Sequence, residues 1–187
     1  ETRIDSISNE IQMRALYNTA GYFKEPNLTK ELFTEDGWLK TGDQGKLTSD
    51  GFISIIGRVK DNFKTAKGYY VAPAPIENKL NTHEYIEQVC VVGLNLPQPI
   101  VLVVLSALGK SKDRSDILST LQFLRDKVNP ALRNYEHLKK MIIVQEDWTI
   151  ENECLTPTMK IKRPSIEKKY QLNFEPWYAS QETIVYE

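Results

Sequence analysis

Four cations, Arg58, Lys60, Lys64 and Lys67, stand with a single acid, Asp61, between a period-2 apolar segment (Phe52 to Ile56) and an aromatic-rich hairpin. Cations that dense between two strands point to an anionic ligand; a solvated linker would carry the same charges and bind nothing. Arg58 offers a planar, permanently charged fork of donors. Its plain alternative is a surface ion pair with an acid such as Asp61, which is worth little. Upstream, Asp43 follows Gly42, a residue that permits an unusual backbone turn. Its carboxylate can accept two hydrogen bonds, as many as two neighbouring hydroxyls of a sugar donate. A Gly-Asp pair is more often only a turn. Near the C-terminus Lys160 lies in a basic cluster with Lys162, Arg163, Lys168 and Lys169. The cluster reads as a solvated basic run, although one flexible ammonium can meet a carboxylate oxygen and a phosphate oxygen together.

Other chemistries find no support. His83 and His137 have no partners at metal-ligand spacing, and with two distant cysteines no zinc site can be assembled. No Ser-His-Asp arrangement is suggested, and no Gly/Ser/Thr-rich phosphate loop occurs. A formal net charge of -1 gives no field that favours nucleic acid. Cys90 and Cys154 are too few for a disulfide framework, so a cytoplasmic, reducing setting is the expectation. No signal peptide opens the chain, and Ile100 to Leu108 falls far short of the ~20 apolar residues a membrane helix needs. The absence of Met at position 1 hints at a fragment.

The elements that must position these residues follow from periodicity. Residues 10 to 15 alternate as a half-buried strand, and Leu28 to Phe33 reads as a short helix capped by Asn27 or Thr29. Asp36-Gly37 is a turn. Lys46 to Thr48 and Phe52 to Ile56 flank Ser49-Asp50-Gly51 as a hairpin, and Phe63 to Thr65 and Tyr69 to Val71 flank Lys67-Gly68 as another. Pro75 can sit first in a helix through Leu80, with Glu77 in its first turn. Gln88 to Val92, Ile100 to Leu105 and Met141 to Val144 read as strands. Ile117, Leu121, Leu124 and Val128 form one face of a helix that Pro130 ends. Glu151 to Thr158 is a loop, and Pro164 opens a last helix through Lys169. The first third is mostly β and marginal alone, whereas strands and helices alternate from 60 to 170. The expected fold is α+β: residues 1–58 as the β-rich tail of a larger N-terminal domain, then 59–187 as a small domain with a short central sheet. The break in patterning falls at 57 to 61.

Taken in order, Asp36-Gly37-Trp38-Leu39-Lys40-Thr41-Gly42-Asp43, then Gly57-Arg58-Val59-Lys60-Asp61 with Lys67-Gly68-Tyr69-Tyr70-Val71-Ala72-Pro73, then Leu155-Thr156-Pro157-Thr158-Met159-Lys160 resemble the signature of the adenylate-forming enzymes. The match is closest to their long-chain acyl-CoA synthetase branch and runs from about Glu10 to Tyr170. The resemblance implies that a parent enzyme joins a fatty acid to AMP, using ATP and Mg2+, and passes the acyl group to coenzyme A. It implies that Asp43 and Arg58 hold the nucleotide ribose, that Lys60 is the hinge of a mobile small domain, and that Lys160 is catalytic. It further implies that Gly68 and Tyr69 line the coenzyme A channel, and that the phosphate loop and acyl pocket lie in an N-terminal domain of the same protein. Peripheral membrane association of the parent is compatible with it. Many members carry Gly where Met159 stands, and the long-chain branch tolerates a bulky apolar residue there. Two rival readings remain open: a binding module without chemistry of its own, and an adenylating enzyme that serves a carrier protein.

Overall fold

The period-2 segments of the first third pair into one antiparallel sheet. In the computed structural model, which describes all residues 1–187, β1 (Thr2–Ile4), β2 (Glu10–Met13), β3 (Leu39–Leu47) and β4 (Ile53–Arg58) lie in that order. A helix, α1 (Pro26–Leu32), is inserted between β2 and β3. Its cap position is Glu25 rather than Asn27 or Thr29, because Pro26 supplies the fixed φ and missing N–H suited to a first helical residue. The β3–β4 hairpin turns at Gly51 (φ 87°) and closes with Thr48 N donating to Phe52 O at 2.8 Å. Ile11 and Trp38 are the apolar side chains fully buried in this part.

The chain divides into two compact units, Glu1–Asp61 and Asn62–Glu187. In the second, β5 (Phe63–Lys64) and β6 (Tyr70–Val71) form the short hairpin read from sequence. After α2 (Pro73–Leu80) come β7 (Ile86–Val92) and β8 (Ile100–Leu105), then α3 (Ala107–Lys110), α4 (Arg114–Val128) and β9 (Lys140–Ile143). The chain ends with α5 (Arg163–Tyr170), α6 (Phe174–Ala179) and β10 (Ile184–Tyr186). The sheet order is β10-β9-β8-β7; β7 and β8 are antiparallel, while β8, β9 and β10 run parallel.

All six residues of β8 are buried, since helices cover both faces of the sheet. On one face Val101 and Val103 meet Ile76 and Leu80 of α2 and the Ile117, Leu121, Leu124, Val128 stripe of α4. On the other, Ile100, Leu102 and Val104 meet Ile166 and Tyr170 of α5 and Trp177 of α6. Three elements of this unit escape a sequence reading. α3 is four residues long, α6 follows α5 almost without a break, and β10 pairs with β9 only through tertiary approach. Lys140 fastens that last pairing: its Nζ donates to Ser180 O and Glu182 O, both at 2.6 Å, and burial pushes its pKa below the usual lysine value. No helix is long and apolar enough to cross a membrane.

Two local readings change. Pro73, not Pro75, is the first residue of α2, so Glu77 lies beyond the first turn, where it is buried. Gly42-Asp43 is not a turn after a strand but lies inside β3, where Gly42 (φ 75°) bends the strand without ending it.

Candidate functional site

Asp43 and Arg58 stand directly opposite each other in the β3–β4 ladder, and Arg58 Nη1 donates to Asp43 Oδ1 at 2.6 Å. The sequence offered Asp61 as the partner acid; cross-strand register selects Asp43. Arg58 is mostly exposed and Asp43 less so (61% and 29% of the side chain), and the carboxylate raises the guanidinium pKa. Glu10 on β2 accepts from Gly42 N at 2.8 Å, and Thr41 Oγ1 donates to Ile11 O, also on β2, at 2.7 Å, so β2 holds the bend in β3 at two points. A cleft of about 560 Å³ opens here within the first unit, with Gly42, Arg58, Lys60 and Glu10 on its wall and Leu28 and Leu32 beside Tyr22 on its apolar edge. Lys60 lies in the 3-10 turn Val59–Asp61 that follows β4. The structure thus brings Asp43, Arg58 and Lys60 to one place.

Gly68 turns the β5–β6 hairpin with φ 85°, a conformation side chains disfavour. Its N–H donates to Thr65 O at 2.9 Å, and Tyr69 N donates to Thr65 Oγ1 at 3.2 Å. Tyr69 stacks on Tyr135, with ring centroids 4.7 Å apart and planes 8° from parallel, and Arg133 Nη1 donates to the Tyr135 hydroxyl at 2.7 Å. Sequence reasoning missed Tyr135 and Arg133. Neither periodicity nor spacing links them to Tyr69, because the stack joins segments far apart in the chain.

Lys160 stands exposed at the end of a three-residue hairpin loop. Thr156 N donates to Lys160 O (2.8 Å), Met159 N to Thr156 O (2.9 Å) and Lys160 N to Thr156 Oγ1 (3.1 Å). Leu155 and Ile161 bridge below it. Such loops place their third residue in the left-handed region, where Gly is at home. Here that residue is Met159, at φ 61°. The cost of this conformation is about 1–3 kcal/mol.

The foot of that hairpin is fixed by Arg163, the first residue of α5. The reading of a uniformly solvated basic run fails at this residue. Its Nη2 donates to both Glu77 carboxylate oxygens (2.7 and 2.9 Å) and its Nη1 to Val91 O (2.7 Å), with both side chains nine-tenths buried. Glu77 also accepts from Val91 N at 2.7 Å. One buried network therefore joins α2, β7 and the segment that bears Lys160. An acid on the apolar face of α2 beside Ile76 and Leu80 was the one signal for it in the sequence. The stretch is thus divided in role: Arg163 anchors, and Lys160 projects.

Comparison with known proteins supplies the context. The family profile described as AMP-binding enzyme C-terminal domain matches residues 60–182. Long-chain-fatty-acid–CoA ligase 5 of Mus musculus is 32% identical over 197 residues, taking in 95% of this chain and 29% of that protein. Fatty acyl-CoA synthetase A of Dictyostelium discoideum is 34% identical over 193 residues, or 91% of this chain and 29% of that protein. The chain accordingly spans less than a third of the length of these curated relatives. Among solved structures, the A domain of a carboxylic acid reductase from Segniliparus rugosus, in complex with AMP and a co-purified carboxylic acid, superposes with a TM-score of 0.75. It is 27% identical and covers 91% of this chain and 28% of that one. The Asp43–Arg58 pair, the Gly68 hairpin and the Lys160 loop are thus carried on a chain that belongs to the AMP-binding enzymes, with their C-terminal domain at residues 60–182.

Proposed function

We propose that this chain works as the C-terminal part of an ATP-dependent acyl-CoA synthetase acting on a fatty acid, ATP and coenzyme A. The observation that carries the reading is the exposed Lys160 on a hairpin whose foot is locked by the buried Arg163–Glu77 pair. A mobile charge on a fixed support suits a site that must be presented and withdrawn. In the first half-reaction a carboxylate oxygen bonds to the α-phosphorus of ATP while the bond to pyrophosphate breaks. Lys160 Nζ neutralises charge shared by the attacking carboxylate and the phosphoryl oxygens, which is the main service a protein gives such a transfer. In the second, the coenzyme A thiolate bonds to the acyl carbon and AMP leaves with the electrons of the broken acyl–oxygen bond.

Asp43 accepts from the two ribose hydroxyls, and the Arg58 fork, already aimed at that carboxylate, fixes its orientation. Lys60 marks the pivot between the two steps, where a few residues absorb the backbone change. Gly68 leaves the β5–β6 turn thin enough for a pantetheine arm to pass, with Tyr69 beside it. The Mg2+ that accompanies ATP finds no group of three His, Cys, Asp or Glu side chains in this chain, and none of these roles involves it. The phosphate loop and acyl pocket belong to an N-terminal domain of the same protein, which is the main partner. The parent works in the cytoplasm or at a membrane surface.

A second acceptor is favoured by one finding, the likeness to the A-PCP didomain of the Segniliparus rugosus carboxylic acid reductase (28% identical, TM-score 0.74). A carrier-bound thiol in place of free coenzyme A would use the same Gly68 hairpin.

The test is Lys160→Ala in the full-length protein that contains this chain. ATP–pyrophosphate exchange with a fatty acid should fall by roughly a hundredfold or more, while conversion of preformed acyl-adenylate to thioester stays within a few-fold. Equal loss in both half-reactions removes Lys160 from the adenylation step. Supplying free coenzyme A and, separately, a carrier protein as acceptor decides between the two readings of the second step.

A further inference from the structure

The loop that presents Lys160 contains a residue its own backbone disfavours. Five non-glycine residues have positive φ, namely Asn9, Lys24, Asn95, Glu153 and Met159. Asn tolerates this region, and Lys and Glu can extend their charged ends into water. Met159 is the one apolar side chain among the five, and it fills the loop position at which glycine is unstrained. Nor does burial compensate for the strain, because Met159 is 63% exposed. Strain and exposed apolar surface coincide at the residue directly before Lys160. Thr156 holds the outlier in place, accepting from Met159 N and Lys160 N, and backbone outliers enforced by their surroundings cluster at functional sites.

We infer that Met159 is a specificity-determining contact: in the adenylating arrangement its thioether chain covers the first methylenes of the fatty acid while Lys160 meets the carboxylate. The inference rests on the Lys160 reading above. The choice of ligand follows from chemistry. A side chain adjacent to one that bridges a carboxylate and a phosphate can reach either the anionic oxygens or the carbons next to the carboxylate. A thioether offers nothing to phosphate, but it fits irregular apolar surface and removes methylenes from water. Glycine in its place would relax the loop and leave those methylenes wet.

The experiment uses the full-length protein and two substrates of equal length that differ only beside the carboxylate, hexadecanoate and 2-hydroxyhexadecanoate. Met159→Asn and Met159→Gly both suit the backbone and remove the apolar cover; Met159→Leu keeps the cover. Parent and Met159→Leu should prefer the unsubstituted acid in ATP–pyrophosphate exchange. In Met159→Asn and Met159→Gly the ratio of kcat/KM for the two acids should fall by roughly tenfold, the effect of a methylene-sized contact, with Tm unchanged or raised. Conversion of preformed hexadecanoyl-adenylate to thioester should be unaffected in all three. An unchanged ratio overturns the inference, including the case where both acids lose activity equally, since that describes a loop merely displaced. Lys160→Ala in the same assay separates the two claims. If it spares exchange, the reading of Lys160 falls; if it abolishes exchange while the Met159 variants keep their ratio, only the Met159 contact falls.

Discussion

Asp43 and Arg58 already satisfy each other at 2.6 Å, so the nucleotide proposed to bind there would have to displace or share that bond. An exposed pair of this kind adds about 0–1 kcal/mol to stability. Neither residue is therefore needed to hold the β3–β4 hairpin, which is closed by its own ladder. Asp43→Asn and Arg58→Met should leave the melting temperature of the full-length protein within a degree or two. Charged hydrogen bonds contribute about 1.5–3 kcal/mol each where they are made, so KM for ATP should rise by roughly tenfold or more in either variant. Isothermal titration with AMP and steady-state exchange both read this out. A large drop in Tm with unaltered ATP binding would show the pair to be structural. The two residue types were visible in the sequence. Their opposition was not, because the β3–β4 register shifts between Gln44 and Gly45, where β4 carries the extra residue Ile56, and no local pattern encodes that offset.

At the scale of elements, the Glu77–Arg163 network governs where the Lys160 hairpin stands. Removing one partner of a buried pair strands the other, which costs about 3–5 kcal/mol. Glu77→Ala should lower the unfolding free energy, read from chemical denaturation, by that amount and leave Arg163 seeking water. Glu77→Gln keeps the shape and the Val91 N–H acceptor, so it should lose less. A second element-level expectation concerns Gly68. At φ 85° a Cβ is strained whatever the space around it, and the nearest atom to a Cβ built there is Lys64 Cε at 3.7 Å. Gly68→Val should distort the β5–β6 turn and slow thioester formation at least tenfold, with ATP–pyrophosphate exchange retained; half-reaction assays separate the two. These elements differed in legibility for physical reasons. The stripe on α4 and the run of β8 were plain, since helical and buried-strand periodicity are local. The anchoring role of Arg163 was hidden among lysines that do face solvent, because charge composition alone does not distinguish a buried guanidinium from an exposed one.

At the scale of the whole chain, the two compact units differ in what holds them. The second contains both apolar clusters, one on each face of its sheet. The first has Ile11 and Trp38 fully buried, and much of its remaining cohesion is polar. Arg3 reaches across to both oxygens of Asp36 (2.7 and 3.0 Å) and lies over the Trp38 ring, which Arg14 approaches as well. That contrast was partly legible, since the change of pattern near residue 60 is a change from hairpins to alternating strands and helices. It leads to a paired expectation. Residues 62–187 expressed alone should unfold in one cooperative transition by circular dichroism, whereas residues 1–61 alone should show none, too little apolar surface being buried to fix the chain. Within the intact protein part of the first unit's stability should also depend on acid. Arg3 depresses Asp36 from 3.8 to about 2. A carboxylate whose folded pKa is lowered lends stability that is fully present above its unfolded value. That share is lost as pH falls from 3.8 towards 2. Asp36→Asn should therefore be less stable than the parent at pH 6 and converge with it near pH 2, measured by urea denaturation with Trp38 fluorescence resolved from Trp148 and Trp177 by substituting those two with Phe. A gap between the curves that persists at pH 2 would mean that Asp36 acts through packing and not through its charge.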